Sequence, residues 1–215
     1  MTIERHVLTL SQWLSPAFPV GAFAYSHGLE TLIAAGQITG KRALQEWLHA
    51  LLRHGTGRSD AILLRAAHAV PDAPALLQVD ASARAFAASA ERLKETDLQG
   101  DAFCKTVSDV WGTDLRGLTY PVAVGAAAAR AEIDADLATV MYLQAFVSNL
   151  VSVAVRAVPL GQTEGQEVLA RLTPLCQAIS QDTAMATLDD LSSIAFLSDI
   201  AAMQHETLQP RIFRT

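Results

Sequence analysis

The sequence predicts an all-α protein, a single-domain helical bundle with a stiff Pro/Gly-rich loop near the N-terminus and an extended C-terminal tail. Three observations carry that prediction. Alanine is abundant and β-branched runs are short. Apolar residues recur at helical spacing, most clearly in Leu44, Trp47, Leu48, Leu51 and Leu52. No stretch is long or polar enough to be a linker and no fixed-period repeat is present, so one domain is expected across residues 1–215.

The loop comes first. Ser15 to Glu30 reads SPAFPVGAFAYSHGLE. Pro16 and Pro19 fix their own φ and push the residues before them into extended conformations. Gly21 allows a sharp turn, and Ser26 is the expected N-cap of the helix that follows. With Phe18, Phe23 and Tyr25 in it, this loop is costly to leave in water. It is buried in its own core or held against something else.

The helices follow in order. Thr39 and Gly40 precede the striped helix, Lys41, Arg42, Gln45, Glu46 and Arg53 fill its other side, and Gly55 and Gly57 loosen its end. The next helix is expected from Asp60 to Ala69, stopped by Pro71 and Pro74. Pro74 to Leu98 reads as an alanine-rich helical stretch broken by Gly100. Asp101 then caps a helix through Phe103, Val107 and Trp111 that ends near Gly112. Pro121 suits the first turn of a helix through Ala126–Ala129. Leu137 to Leu160 is the most apolar run. Gln144, Ser148, Asn149, Ser152 and Arg156 interrupt it on several faces, so it reads as a central core helix rather than a membrane span. Thr163 and Gln166 have capping-box spacing for the helix carrying Val168, Leu169 and Leu172, which Pro174 is expected to kink or divide. Ile194, Leu197 and Ala201 form the stripe of the last helix, which Pro210 stops short of the C-terminus.

Composition narrows the function. A hydrophobic fraction of 51% with only 18% charged residues, at a mean hydropathy of +0.25, excludes disorder and leaves apolar surface for partners. A net charge of −6 argues against a nucleic-acid footprint, which needs a basic face. Met1 to Leu14 carries acid, base and Trp13 in place of a long apolar signal segment, so a cytoplasmic location is expected. Cys104 and Cys176 stand far apart without a CxxC pairing and read as structural thiols.

No catalytic constellation emerges. Gly36 to Lys41 is one residue short of a phosphate-binding loop, Arg42 stands where Ser or Thr belongs, and no strand precedes it. Among His6, His27, His49, His54, His68 and His205 no two are four apart, so no helix presents a ready ligand pair. His27 and His205 stay as candidate nickel ligands beside the plainer reading of hydrogen-bonding histidines. Ser26-His27 suggests a hydrolase, but sequence neighbours do not face each other on a helix and no GxSxG elbow exists. Glu30 either favours a helix dipole or presents a carboxylate to a partner. Asp72, Asp80, Asp97, Asp101, Asp114, Glu132, Asp134 and Asp136 fall mostly where helices start or turn. The tail is more informative. A free terminus usually frays, yet Arg211, Ile212, Phe213 and Arg214 are the kind of residues that anchor interfaces, so residues 206–215 are expected to order on binding.

Three segments share a resemblance: Leu14 to Glu30; Ser148-Asn149-Leu150-Val151 with Val158 to Gln166; and Met203 to Leu208 with Pro210 to Arg214. In that order they resemble the UreF family of urease accessory proteins from one end of the chain to the other. The resemblance implies an all-α homodimer that acts as a non-catalytic nickel-insertion chaperone. Such a protein binds UreD (UreH in some species), recruits the GTPase UreG, regulates its GTP hydrolysis, and serves delivery of nickel to the urease apoprotein. Nickel and GTP are then handled by the complex, and no cofactor is expected in this chain. Carried over to this sequence, Glu206, Thr207, Arg211, Phe213 and Arg214 are the expected UreD/UreH contact. Pro19, Gly21, Tyr25, Ser26, Gly28 and Glu30 are the expected surface near UreG or the dimer axis. The chain has Thr215 where the family pattern often has serine, and Ala73 to Asp101 is only loosely family-like apart from Glu95-Thr96-Asp97 and Gly100. The alternatives are a helical hydrolase using Ser26, His27 and Glu30, and a stand-alone nickel-binding protein.

Overall fold

A computed structural model describes residues 2–70 and 72–215, and Pro71, expected to stop a helix, lies outside them. Among the described residues the chain is all-helical, without a strand. α1 (Ile3–Trp13) leads into the Pro/Gly-rich segment, which contains a 3-10 turn at Ala22–Ala24 before α2 (Leu29–Ala34). Then come α3 (Lys41–His54), α4 (Thr56–Ala69), α5 (Ala73–Ala85), α6 (Ala90–Trp111), α7 (Tyr120–Arg130), α8 (Ala135–Ala157) and α9 (Gln162–Asp182). A second 3-10 turn at Leu188–Asp190 precedes α10 (Phe196–His205).

Local chemistry starts and stops many of these elements. Asp72, Ser89 and Asp134 each accept a hydrogen bond from an amide three residues on, opening α5, α6 and α8. Pro121 sits in the first turn of α7, and Gly112 ends α6 in the left-handed region at φ 70°. The stripe Leu44, Trp47, Leu48, Leu51 and Leu52 of α3 is buried. α4 and α7 pair closely at the centre, where a Cβ on Gly125 would stand 2.1 Å from the Leu64 carbonyl oxygen. α8 is long and apolar enough to cross a membrane by composition. Here Leu143, Val147, Leu150, Val151 and Ala154 are buried, and the helix packs on α9, α4 and α7.

Several boundaries differ from expectation, each for a packing reason. α4 begins at Thr56, not Asp60, because Gly57 lets its first turn press on Leu52, whose Cα would be 2.7 Å from an added Cβ. The stretch from Pro74 breaks at Phe86–Ser89, and α6 runs unbroken through Gly100 and Asp101. Gly100 is there because the α7 approach passes against it: a Cβ would lie 2.0 Å from the Leu118 carbonyl oxygen. α9 is capped by Gly161, whose amide donates to Glu164 Oε2 at 3.0 Å, rather than by Thr163 and Gln166. Pro174 does not divide α9, since Val168 and Leu172 before it and Cys176 and Ile179 after it are buried together in the core. In α10 the inward residues are Ser198, Ala201, Ala202 and His205, while Leu197 and the preceding Ile194 face outward. Small residues are needed there because α10 sits on Gly28, where a Cβ would be 2.7 Å from the Ala202 amide nitrogen.

Candidate functional site

The two segments singled out in the sequence meet. Gly28, at φ 80°, turns the chain into α2, so Ser26 does not serve as the N-cap of that helix. Its hydroxyl donates to the Thr215 main-chain oxygen, to which its own amide also donates at 2.7 Å. The Arg214 amide donates to the Ala24 carbonyl at 2.8 Å, so the tail runs along the loop as a strap.

Two carboxylates clamp that strap. Glu30 of α2 accepts from the Ile212 amide at 2.6 Å, the Phe213 amide at 3.0 Å and His205 Nε2 at 3.0 Å. Glu91 of α6 takes His205 Nδ1 and Arg211 Nη1, each at 2.7 Å. Burial alone would raise the Glu30 carboxyl, but the bonds from His205 and the two amides outweigh it and hold the group below its ordinary value. Arg156 of α8 stands over the Phe213 ring at 5.0 Å and donates to the Phe23 carbonyl at 2.9 Å.

Beneath the strap lies a cavity of about 160 Å³ lined by His27, Asp60, Arg92, Glu95, Tyr120 and Phe146 among others. A smaller one of about 50 Å³ lies on the far side of Asp60 and Arg92. Thr215 Oγ1 donates to Glu95 Oε2 at 2.8 Å, tying the chain end to this interior. Burial would raise Glu95, yet the Arg92 guanidinium against it, helped by His27, brings it down to about 2. Burial pushes Asp60 up to about 6, offset only in part by Arg92 and by the Tyr142 hydroxyl, which donates to it at 2.7 Å. Burial also lowers His27.

Of the loop residues, Pro19 is exposed and Gly21 partly so; Tyr25, Ser26, Gly28 and Glu30 are buried, Gly28 against α10 and Ser26 and Glu30 bonded to the strap. Of the tail residues, Glu206, Thr207, Arg211 and Arg214 are exposed, while Phe213 is buried within the chain itself. The outward side chains of α10, Phe196, Leu197, Ile200 and Met203, are exposed, as are Ile194 and Ile212. Sequence reasoning missed Glu91, Arg92 and Asp60. The spacing of Glu91 and Glu95, one helical turn apart, was the available signal.

Ser26 and His27 are not paired with each other as nucleophile and base. The Ser26 hydroxyl is turned to Thr215, and His27 Nε2 lies 2.9 Å from Thr56 Oγ1. Both nitrogens of His205 are engaged by carboxylates, which leaves neither free to ligate a metal. Among the described residues no group of three or more His, Cys, Asp or Glu is arranged to hold a metal ion. What the geometry offers is a clasped strap and exposed apolar side chains, an arrangement suited to docking.

Residues 38–173 match the family model described as UreF. The chain is 51% identical over 212 residues to "Urease accessory protein UreF" of Ruegeria pomeroyi, covering 99% of this chain and 98% of the relative. It is 54% identical over 209 residues to the protein of the same name from Roseobacter denitrificans, covering 97% of this chain and 93% of the relative. With identity at this level along nearly its whole length, the chain belongs to the UreF family of urease accessory proteins.

Proposed function

We propose that this chain is a non-catalytic assembly factor for urease, working in the cytoplasm as a single-domain homodimer that docks UreD/UreH and recruits the GTPase UreG. Its part is to hold partners in place and to regulate GTP hydrolysis, while nickel and GTP are handled by the complex without a cofactor in this chain. The observation that carries the reading is the strap: Arg211 and Arg214 are exposed on either side of the exposed Ile212 and the buried Phe213. Apolar anchors flanked by arginines form the centre of many interfaces. In this reading Glu206, Thr207, Arg211 and Arg214 meet UreD/UreH, and Phe213 acts from below by holding the strap. Pro19 and Gly21, the accessible part of the loop, face UreG or the second subunit, while Tyr25, Ser26, Gly28 and Glu30 act from within by holding the loop.

The test is co-purification with UreD, using the full chain, an Arg211→Ala variant and a chain truncated after His205, each checked for native helical content. Capture by the full chain with loss on truncation supports the tail as the anchor. Undiminished capture by the truncated chain moves the interface to the helical body. No capture by any folded form removes the reading.

A further inference from the structure

His205 closes α10 and is fully buried between Glu30 of α2 and Glu91 of α6. Carboxylates only accept hydrogen bonds. Glu30 is ionised, since three donors converge on it. Glu91 faces the Arg211 guanidinium as well as the ring. The ring therefore stands between the two carboxylates, one at each nitrogen. The charges facing it balance: Glu30 from α2, Glu91 from α6 and Arg211 from the tail. Glu206, the next residue, turns away to accept from the Ala90 amide at 3.2 Å, and Arg92 is spent on Glu95.

We propose that His205 is a positioning residue: bridging Glu30 and Glu91, it aims their carboxylates at the tail and so couples the seat of α10 to the tail and the N-terminal loop. Glu30 meets the ring on Oε2, the same oxygen that takes the Phe213 amide, while Oε1 takes Ile212. Glu91 splits its oxygens between the ring and Arg211. Each carboxylate is thus oriented on one side by α10 and used on the other by the tail. The tail in turn holds Ser26 and Ala24 of the loop. Lifting α10 withdraws the ring from both carboxylates together and loosens Arg211, Ile212, Phe213 and the loop as one unit. This coupling lies within the chain and goes beyond the assignment of any partner.

The experiment uses the full chain with ¹⁵N-labelled histidine and site-resolved amide exchange. Each His205 ring nitrogen is expected to show the shift of a hydrogen-bonded nitrogen; one free nitrogen overturns the proposal. His205→Gln carries both its donor protons on one nitrogen, so it cannot reach the two carboxylates from opposite sides as the ring does. It is expected to speed exchange at Ile212, Phe213 and Ser26 together by about tenfold or more, the loss that follows when charge-assisted bonds are withdrawn. Wild-type protection at those three amides in the folded variant also overturns it. Glu91→Gln supplies a second reading should His205→Gln fail to fold. There the Arg211 guanidinium protons are expected to exchange faster while Ile212 and Phe213 stay protected, and an unchanged Arg211 refutes the two-carboxylate clamp.

Discussion

Replacing Gly100 by alanine sets two opposed effects against each other, and their magnitudes decide the sign. In an ordinary helix interior the change gains about 1 kcal/mol, because glycine loses the most backbone entropy on folding. Here the new Cβ would lie 2.0 Å from the Leu118 carbonyl oxygen and 2.8 Å from both the Thr119 carbonyl carbon and the Tyr120 amide nitrogen. All three are backbone atoms, which have no rotamer to escape into. The segment entering α7 must retreat by on the order of an ångström to restore van der Waals contact. Two hydrogen bonds sit on that segment: Thr119 amide to Asp80 Oδ1 at 2.6 Å, and Tyr120 amide to Thr96 Oγ1 at 3.2 Å. Overpacking costs about 1–3 kcal/mol, and weakening a buried bond to a carboxylate adds about 1.5–3 kcal/mol. The net expectation is a loss of about 2–4 kcal/mol, or roughly 4–16 °C in Tm for a chain of this size. Urea unfolding of the full chain followed by circular dichroism, with a matched thermal scan, reads it directly. A Gly100→Ala protein as stable as the parent, or more so, would refute the close-approach argument and restore the glycine as an ordinary weak point in the helix.

The remaining predictions concern charge and the strap. Asp60 is raised from 3.8 to about 6, so the folded chain binds its proton more tightly than the unfolded one and loses stability as pH rises between those values. Asp60→Asn is therefore expected to be more stable than the parent above pH 6, by about 1–3 kcal/mol at ~1.4 kcal/mol per unit, with the gap closing below pH 4; equal Tm values across that range count against it. Glu95 has the opposite sign: lowered from 4.5 to about 2, it contributes stability that is complete above its unfolded value and disappears as pH falls toward 2. Glu95→Gln should flatten that acid limb in a Tm-against-pH series, and an unchanged limb would mean the carboxylate is not what Arg92 holds. Ser26→Ala removes the hydroxyl bond to Thr215 and is expected to cost about 1 kcal/mol, read as faster amide exchange at Arg214 with little change in helical content. A variant with wild-type exchange there would show that the backbone pairing alone holds the strap.

Much of the helical architecture was legible in residue order because the forces that start and stop a helix act within a few residues. The α3 stripe, Pro121 in the first turn of α7 and Gly112 at the end of α6 each carry their meaning in local spacing. The same local rules misread Gly100 and Gly57, since a glycine's preference is outweighed where another backbone needs the space of its missing Cβ. They misread the outward side of α10 for a related reason, because the Gly28 contact admits only small residues beneath that helix. The candidate site was half visible. Both end segments stood out by composition and by family likeness, but nothing in their spacing said that they touch. Glu30 and His205 are 175 positions apart, and Glu95 meets Thr215 across 120. Ion pairing of that kind depends on burial and on which carboxylate is left facing which donor, and those are properties of the packed chain. The residues alone determined a helical accessory protein with unusual ends; the tertiary structure decided that the ends form one clasp, because only folding brings the charges that balance each other out of water together.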